Sequence, residues 1–441
     1  MTTTIEKIHQ FNAFGSRLGM ERMNIILEKL GNPQQGLKAI HVAGTNGKGS
    51  VCKFLEGALS ACGYRVGLYT SPFLERFHER IRLGGEEISD AALQQYGEQV
   101  LAAADEMVAE GYDSPTEFEV VTALAFLYFQ QEAADIAILE VGLGGRGDST
   151  NAVENPLICA ICSVSYDHME RLGNTLEEIA ADKAGIIKPG VPIVSNVPRG
   201  AAARVIARTA YRNGSRLYDV SGIDFTLSEE TPVSQKVSME LYGTDYRDVE
   251  LSMVGRHQGE NLKTALAILE ILRKEKKISV ERSRLYAGLK QAVQPGRFEV
   301  VRDAVPEEGS PMVIVDGAHN EAGARALKET ALTFFSDRKV LLVTGMLADK
   351  QVDEMLVQLT QITKDIVVTA PDNPRRLEPE ELEAHVRKLG IEPRKAADAE
   401  QSIQIVRDIW ADYDAVIVAG SLYLIGEIRR IMKHGERKKS R

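Results

Sequence analysis

A glycine-rich run at residues 41–50, HVAGTNGKGS, carries a lysine and a serine in a spacing suited to phosphate binding. It follows a short apolar segment and precedes an amphipathic one, which predicts a strand, a tight loop and a helix. Glycines let several backbone N–H groups point at one anion, and the helix N-terminus adds positive potential. Lys48 can supply a point charge and Ser50 a hydroxyl ligand for Mg²⁺, although Gly49 between them departs from the usual P-loop spacing. We therefore expect a nucleotide phosphate site here.

Polar residues also follow two later apolar segments of the chain. Glu140 ends the segment 135–140 and begins a glycine-rich loop, and Asp167 and His168 follow the segment 157–164. Ligands of a doubly wound sheet bind at the carboxyl ends of its strands, where a carboxylate near a phosphate loop is a natural Mg²⁺ ligand. We therefore expect Glu140 to hold a metal, and His168 is a further candidate, although a lone histidine is more often structural.

Other residues that could do chemistry have ordinary explanations when each is taken alone. Lys183 ends a predicted helix, where a lysine commonly balances the helix dipole. Segment 70–81 mixes aromatic and charged residues, which is typical of a loop that covers a substrate and almost equally of a packed surface loop. Arg297 lies on a linker and Asp316 follows an apolar segment, so both could reach across a cleft between domains or be plain loop polarity.

Short apolar segments alternate with helical patterns, which predicts an α/β fold with a parallel sheet covered on both faces. Alternating Thr, Ser, Val and Tyr between residues 214 and 253 predict a small antiparallel patch. Proline and glycine before Arg297 mark a domain boundary. We predict a P-loop-type, doubly wound, mostly parallel domain over residues 1–296 and a smaller Rossmann-like α/β domain over 297–441. The predicted strands are 38–43, 66–70, 135–141, 157–164, 192–196, 312–316, 340–345, 366–370 and 415–419.

Composition narrows the class of protein. A chain of 441 residues is too long for one core, and a net charge of −10 argues against a dedicated nucleic-acid binder. No stretch reaches the length of an apolar membrane span and the N-terminus lacks a signal sequence, so we expect a cytoplasmic protein without a membrane partner. Cys159 and Cys162 lie three apart on a predicted strand and so face opposite ways, which favours buried structural thiols over a metal site or disulfide.

Seven motifs occur in order along the chain: HVAGTNGKGS at 41–50, TSPF at 70–73, EVGLGGR at 140–146 with DSTN at 148–151, DH at 167–168, KAGI at 183–186, PGR at 295–297 and DGAHN at 316–320. Together they resemble the folylpolyglutamate synthase/dihydrofolate synthase family of the Mur-ligase superfamily. The resemblance covers residues 5–432. Within it, Gly147 stands where relatives usually carry an apolar or aromatic residue, and Phe73 replaces a frequent histidine.

The resemblance implies an ATP-dependent ligase that forms an amide between a folate or pteroate carboxylate and L-glutamate. The γ-phosphate would go to the carboxylate to give an acyl phosphate, and the glutamate amine would then displace phosphate. Both dihydrofolate synthase and folylpolyglutamate synthase activity are expected, with folylpolyglutamate synthase activity alone as the alternative. A Mur-type ligase of a cell-wall precursor and a non-catalytic nucleotide-binding module are the more distant interpretations. The family also implies a monomer.

The resemblance also assigns roles to individual residues. Lys48, Glu140, His168 and Lys183 would be catalytic, with Lys183 carried as a carbamate, and Arg297 and Asp316 would let ATP bridge the two domains. The ATP contacts would be Asn46, Gly47, Lys48, Gly49, Ser50, Asn261, Arg297 and Asp316. Two Mg²⁺ ions would be held by Ser50, Ser71, Glu140, His168 and Lys183. The pterin or folate pocket would include Ser16, Arg17, Leu18, Gly19, Thr116, Glu117, Phe118 and Arg146.

Overall fold

The computed structural model describes residues 3–14, 17–305 and 309–439, which fall into two compact units. The first unit comprises Met1–Thr226, Ser238–Val249 and Glu260–Ala292. The second unit comprises Leu227–Val237, Glu250–Gly259 and Val293–Arg441. The boundary between residues 296 and 297 stays a prediction.

An eight-stranded sheet organises the first unit, with the order β4-β3-β2-β5-β1-β6-β7-β8. Its strands are β1 Ala39–Ala43, β2 Val66–Tyr69, β3 Ile81–Leu83, β4 Glu86–Glu87, β5 Ile136–Glu140, β6 Ile158–Ile161, β7 Ile193–Ser195 and β8 Leu217–Asp219. All pairings are parallel except those of β3 with β2 and with β4. The predicted mostly parallel sheet is therefore confirmed.

The central strand β1 is buried along its whole length, because helices cover both faces of the sheet. Its neighbours are β5 on one side and β6 on the other, in parallel register. The carboxyl ends of these three strands therefore meet at one edge. The helices assigned along this part of the chain are α1 Thr4–His9, α2 Glu21–Lys29, α3 Lys48–Ala61, α4 Asp90–Ala109, α5 Glu117–Gln131, α6 Met169–Leu172, α7 Leu176–Lys183, α8 Ala201–Arg212, α9 Arg256–Lys274 and α10 Arg282–Gln291.

Helix α3, which begins at Lys48, is fixed by close packing against α10. A Cβ atom at Gly57 would lie 2.4 Å from the Gly288 carbonyl oxygen, so neither glycine tolerates a side chain without movement. The sequence pattern did not predict α10, since its apolar positions are few. This crossing of two helix backbones sets the position of the helix that leaves the phosphate loop.

The segment 214–253 differs in part from the predicted antiparallel patch. Its first strand, β8, pairs in parallel with β7 and extends the main sheet, because α8 provides a crossover between them. The remainder forms a separate three-stranded sheet of β9 Phe225–Thr231, β10 Ser234–Leu241 and β11 Thr244–Leu251. Two-residue connections require antiparallel neighbours, as predicted.

A six-stranded sheet forms the second unit, with the order β12-β13-β17-β14-β15-β16. β12 is antiparallel to β13 and the other pairings are parallel. The strands are β12 Glu299–Arg302, β13 Met312–Val315, β14 Val340–Thr344, β15 Ile366–Val368, β16 Arg394–Lys395 and β17 Ala415–Ala419. The helices are α11 Glu321–Phe335, α12 Val352–Leu359, α13 Pro379–Lys388, α14 Ala399–Ile409 and α15 Leu422–Lys439. The second α/β domain is therefore confirmed. Within the described part of the chain, no helix is long and apolar enough to cross a membrane.

Candidate functional site

The phosphate loop follows β1 and ends at the first residue of α3, as predicted. Gly47 precedes α3 with φ 87°, in the left-handed region that favours glycine, and a Cβ there would lie 2.3 Å from the Asn261 side-chain oxygen. Gly44 has φ 153°, and a Cβ there would lie 3.1 Å from the Cβ of Cys162. Backbone conformation and close neighbours therefore both select glycine, and Asn261 of α9 is brought to the loop.

The loop is held by the segment that follows β6. The Thr45 amide donates to the Ser163 carbonyl (2.9 Å), and the Asn46 amide donates to the Ser163 hydroxyl (2.9 Å), which donates back to the Asn46 carbonyl. The Ser165 amide donates to the Thr45 hydroxyl (3.1 Å). These hydrogen bonds fix the backbone of the loop. No role was predicted for Ser163 or Ser165 from the sequence, because the predicted strand 157–164 includes Ser163, whereas β6 ends at Ile161 and leaves both serines after its carboxyl end.

Two lysines share one acceptor at this loop. Lys48 Nζ donates to the Gly44 carbonyl (3.0 Å), and Lys183 Nζ donates to the same oxygen (3.1 Å). Lys183 is 4% exposed, and burial, with a smaller effect of the Lys48 charge, lowers the pKa of Lys183 to about 7. The carboxylates of Asp167, Asp182 and Asp148 act in the opposite direction. A neutral amine is thus accessible at Lys183 near neutral pH.

The glycine-rich loop after β5 fixes the backbone of Lys183. The Arg146 amide donates to the Asp182 carbonyl (3.0 Å), and a Cβ at Gly145 would lie 2.8 Å from the Lys183 carbonyl oxygen. A Cβ at Gly144 would meet Asp182 Oδ1 at 2.2 Å. The loop therefore packs directly against the end of α7, and Gly144 and Gly145 leave room for Asp182 and Lys183.

Glu140 closes β5 at the same edge. It is 6% exposed, and its Oε2 accepts the Ser71 amide (3.3 Å) from the segment after β2. Ser50, in the first turn of α3, is 2% exposed. Carboxylate and hydroxyl oxygens are the hard donors that Mg²⁺ prefers, so Glu140, Ser50 and Ser71 fit that ion by chemistry. Over residues 3–14, 17–305 and 309–439, no group of three or more His, Cys, Asp and Glu is placed to hold a metal.

His168 lies just before the short helix α6 with φ 50°, an uncommon conformation for a residue with a side chain. Its Nε2 lies 3.8 Å from Asp167 Oδ1, and its side chain is 39% exposed whereas that of Asp167 is 8% exposed. Strained backbone at such a position is a common feature of functional sites. No role of its own was predicted for Asp167 from the sequence. Its negative charge raises the pKa of Lys183, so Asp167 belongs to the surroundings of that lysine.

The three segments expected to bind the pterin or folate come together in the structure. The Gly19 amide donates to the Gly147 carbonyl (3.0 Å), and the Phe118 ring covers Gly142, where a Cβ would lie 2.4 Å from it. A Cβ at Gly147 would lie 3.2 Å from the Leu18 Cβ. This crowding accounts for glycine at position 147. Ser16 lies outside the described residues.

Glu117 and Arg146 have partners within the protein. Glu117 Oε1 accepts Arg80 Nη1 (3.0 Å), and Glu117 Oε2 lies 3.2 Å from His9 Nδ1. The Arg80 guanidinium also lies 5.9 Å from the Phe118 ring centroid. Arg146 is exposed and donates to the Ala181 carbonyl (3.3 Å). Their contact with a substrate stays a prediction.

Segment 70–81, expected to cover a substrate, is organised by one carboxylate. Glu79 accepts the backbone amides of Leu74 (2.8 Å), Glu75 (2.9 Å) and Arg76 (2.8 Å). The Thr70 amide donates to the Arg80 carbonyl, which closes the segment into a compact loop. This loop begins next to Ser71 and Glu140, so it is well placed to shape that edge of the sheet.

In the second unit, Asp316 follows β13 and is buried. It accepts the backbone amides of Phe298 (2.8 Å) and Ala318 (2.9 Å), and burial raises its pKa against the opposing charge of Arg297. A Cβ at Gly317 would lie 3.2 Å from Arg297 Nη1. Arg297 and Asp316 are therefore neighbours within this unit. Their role as nucleotide contacts stays a prediction.

A buried network under the phosphate loop connects β1 to the glycine-rich loop. His41 Nε2 lies 2.8 Å from the Thr150 hydroxyl, which itself donates to Asp148 Oδ1. The Leu143 amide donates to Asp148 Oδ2 (2.8 Å). His41 Nδ1 is buried without a hydrogen-bond partner among the described residues, which suits a neutral imidazole. Burial, with a smaller effect of the Lys188 charge, lowers the pKa of His41 to about 3.

Acid should destabilise the fold through His41. The unfolded chain takes up a proton at the ordinary pKa of 6.5, whereas the folded chain resists it down to about pH 3. Stability contributed by this group is therefore complete above pH 6.5 and is lost as the pH falls, by roughly 5 kcal/mol in all. Urea unfolding of the wild type between pH 7 and pH 4 should show this slope, and His41→Gln should reduce it. His385→Gln is the control, because His385 is a half-buried histidine of the second unit that pairs with Asp353 and makes no contact with this network. An unchanged slope in His41→Gln would contradict the assignment.

Comparison with known proteins identifies the family. The Mur ligase middle domain matches residues 42–269, and the glutamate ligase domain of Mur ligases matches residues 296–422. The dihydrofolate synthase/folylpolyglutamate synthase of Bacillus subtilis is 37% identical over 97% of each chain. The folylpolyglutamate synthase of Lacticaseibacillus casei is 35% identical over 99% of each chain. The structure of E. coli FolC in complex with DHPP and ADP aligns with a TM-score of 0.86 at 28% identity over 98% of each chain. The chain therefore belongs to the Mur ligase family, in its folylpolyglutamate synthase/dihydrofolate synthase group.

Proposed function

We propose that this chain uses ATP to join L-glutamate to the carboxylate of dihydropteroate, of a reduced folate, or of both, releasing ADP and phosphate. The observation that carries this is the edge of the first sheet. The phosphate loop, Glu140, Asp167 and Lys183 meet there at the ends of adjacent elements. An activating site for a carboxylate needs such a set, because two anions must approach each other.

Some residues of the site would position the nucleotide, and others would stabilise charge. Backbone amides of the loop 44–50 and the N-terminus of α3 would bind the nucleotide phosphates. Lys48 would stabilise the negative charge that develops as the γ-phosphoryl group moves to the substrate carboxylate, giving an acyl phosphate and ADP. The neutral amine of glutamate would then attack the acyl carbon, and phosphate would leave as the amide forms. Asn261 would hold the nucleotide from α9.

Magnesium would be held by Ser50, Ser71 and Glu140, with a second ion at His168 and Lys183. Bound there, Mg²⁺ supplies charge neutralisation between phosphate and carboxylate. Lys183 would contribute as a carbamate, since a neutral amine can capture CO₂ and become an oxygen-donor anion. The low pKa of Lys183, about 7, supports this role. A monomeric state and a cytoplasmic location accompany the proposal as predictions.

Paired assays with dihydropteroate and with tetrahydrofolate test the proposal. We expect ADP release that needs the acid, L-glutamate and Mg²⁺ together, and amide products that differ from the acid by one glutamyl group. Activity with both acids would match the two-activity relative of Bacillus subtilis, and activity with tetrahydrofolate alone would match the relative named only folylpolyglutamate synthase. Absence of glutamate-dependent turnover with either acid would contradict the proposal, and a parallel screen of UDP-sugar precursors tests the more distant ligase interpretation.

A further inference from the structure

An ion pair between Arg22 and Glu119 joins two helices of the first unit. Arg22 Nε donates to Glu119 Oε2 (3.1 Å), and Arg22 Nη2 lies 3.1 Å from Glu119 Oε1. The two side chains are 14% and 2% exposed. The hydrogen bond to Oε2 is charge-assisted, and the approach of Nη2 to Oε1 adds an ion pair without a second hydrogen bond. The first turn of α2 and the first turn of α5 are therefore held in one arrangement.

Each partner of this pair also holds a segment expected to bind the pterin-bearing acid. Arg22 Nη2 donates to the Arg17 carbonyl (3.1 Å). Glu119 Oε2 accepts the Thr116 amide (2.7 Å) and the Thr116 hydroxyl (2.9 Å). The pair thus links the segment that contains Arg17 to the start of α5, which carries Phe118. The Gly19 amide donating to Gly147 then connects the same N-terminal segment to the loop after β5.

We propose that Arg22 and Glu119 are positioning residues for the pterin-bearing substrate, a role that rests on the function proposed above. Among the described residues, Arg22 and Glu119 bond to each other, to Arg17 and to Thr116, all of which lie outside the phosphate loop. Their removal should therefore displace the Arg17–Thr116 side of the pocket and leave the ATP side in place. The pair acts through the backbone of Arg17 and Thr116, so its effect falls on substrate affinity.

Helix packing does not depend on this pair, which keeps the proposal testable. Met23, Ile26 and Leu27 of α2 are fully buried in the core shared with α4 and α5. Thr116 keeps a further link to α5, since its hydroxyl accepts the Glu119 amide (3.3 Å) whatever side chain stands at position 119. A variant at Arg22 should therefore fold with α2 docked and with the Arg17 carbonyl released, while Gly19 keeps its hydrogen bond to Gly147.

Steady-state kinetics of Arg22→Met, Arg22→Lys and Glu119→Gln, with the double variant Arg22→Met/Glu119→Gln, test the assignment. We expect KM for dihydropteroate or tetrahydrofolate to rise about ten-fold or more in Arg22→Met while KM for ATP stays within about two-fold. Arg22→Lys should recover part of the loss, because a lysine keeps the charge but lacks the planar group that contacts Glu119 and the Arg17 carbonyl together. The effects of Arg22→Met and Glu119→Gln should not add in the double variant.

The matched control is Arg65→Met, which breaks the exposed Arg65–Glu132 pair (2.9 Å) at the opposite end of α5 and should leave both KM values unchanged. A folded Arg22→Met with unchanged KM for the acid, or with KM for ATP raised equally, would overturn the positioning role alone. Additive effects in the double variant would also overturn it. A wild-type chain without turnover on either acid would instead overturn the proposed function, and this inference with it. Circular dichroism and the unfolding midpoint of each variant establish that it is folded.

Discussion

Lys183→Ala should lower turnover by roughly a hundred- to a thousand-fold while ATP binding stays nearly intact. The reason is that Lys183 lies buried beside Lys48 and Asp167, where it would carry the second metal, whereas the backbone cradle of the loop binds the phosphates without it. Turnover is measured by glutamate-dependent ADP release, and ATP affinity by titration calorimetry. Lys188→Ala is the matched control, because Lys188 is half-buried and donates to the Asn151 carbonyl away from the loop. Unchanged turnover in Lys183→Ala would remove the role given to this lysine.

The carbamate at Lys183 has a direct readout that does not depend on activity. With ¹³C-labelled CO₂ held at a fixed dissolved concentration, a carbamate carbon signal should grow as the pH rises through about 7, since the amine is neutral above its pKa. The signal should vanish in Lys183→Ala. In Lys48→Met the rise should move to higher pH, because the Lys48 charge is one of the causes that lower the pKa of Lys183. A signal that persists in Lys183→Ala would assign the carbamate to another amine.

Gly47→Ala should reduce kcat/KM for ATP by about a hundred-fold, because the added methyl group strains the backbone and also collides with Asn261. The left-handed φ of 87° disfavours alanine by about 1 kcal/mol. The new Cβ would also lie 2.3 Å from the side-chain oxygen of Asn261, so that Asn261 or the loop must move from the nucleotide position. Kinetics at saturating acid and glutamate, with ATP varied, measure the loss.

Gly63→Ala separates the two costs of that substitution. Gly63 has φ 93°, and a Cβ there would have no neighbouring atom within 4 Å, so the variant carries the backbone cost without the collision. Its kcat/KM for ATP should match that of the wild type, with a slightly lower unfolding midpoint. If Gly47→Ala behaved like Gly63→Ala, the contact between the loop and α9 would have no part in ATP binding.

Local sequence patterns were sufficient to predict the buried parallel strands of the two large sheets and the strand ends that carry polar groups. Buried strands such as β1 and β5 are short apolar runs bounded by glycine or polar residues, and their parallel pairing brings Glu140 to the phosphate loop. Strands β3, β4, β12 and β16 were not predicted. They have two to four residues each and lie at or next to a sheet edge, and β4 and β16 consist of charged residues, so they carry no hydrophobic period. The strand β8 was assigned to the wrong sheet for a similar reason: its pattern is compatible with either.

The side chains that hold the site together could not be predicted in this way. Two examples are the hydrogen bond between Ser163 and Asn46 and the one between Arg22 and Glu119. Each joins segments that are far apart in the sequence, so neither leaves a local pattern. The family resemblance supplied Lys183 and Asn261, whose residue types alone indicate an ordinary helix end and an ordinary helix surface. The two lysines on the Gly44 carbonyl follow from the tertiary structure, since they lie on different helices.

The contact between Gly19 and Gly147 affects how the protein is made. The segment that contains Gly19 is synthesised before the loop after β5, yet its amide binds the Gly147 carbonyl of that loop. Closing so long a loop costs entropy that must be overcome before the contact can form. In a nascent chain, the segment around Gly19 therefore lacks this hydrogen-bond partner until the loop after β5 has emerged. Contacts of this range favour slow final assembly of the substrate pocket, after the surrounding sheet has formed.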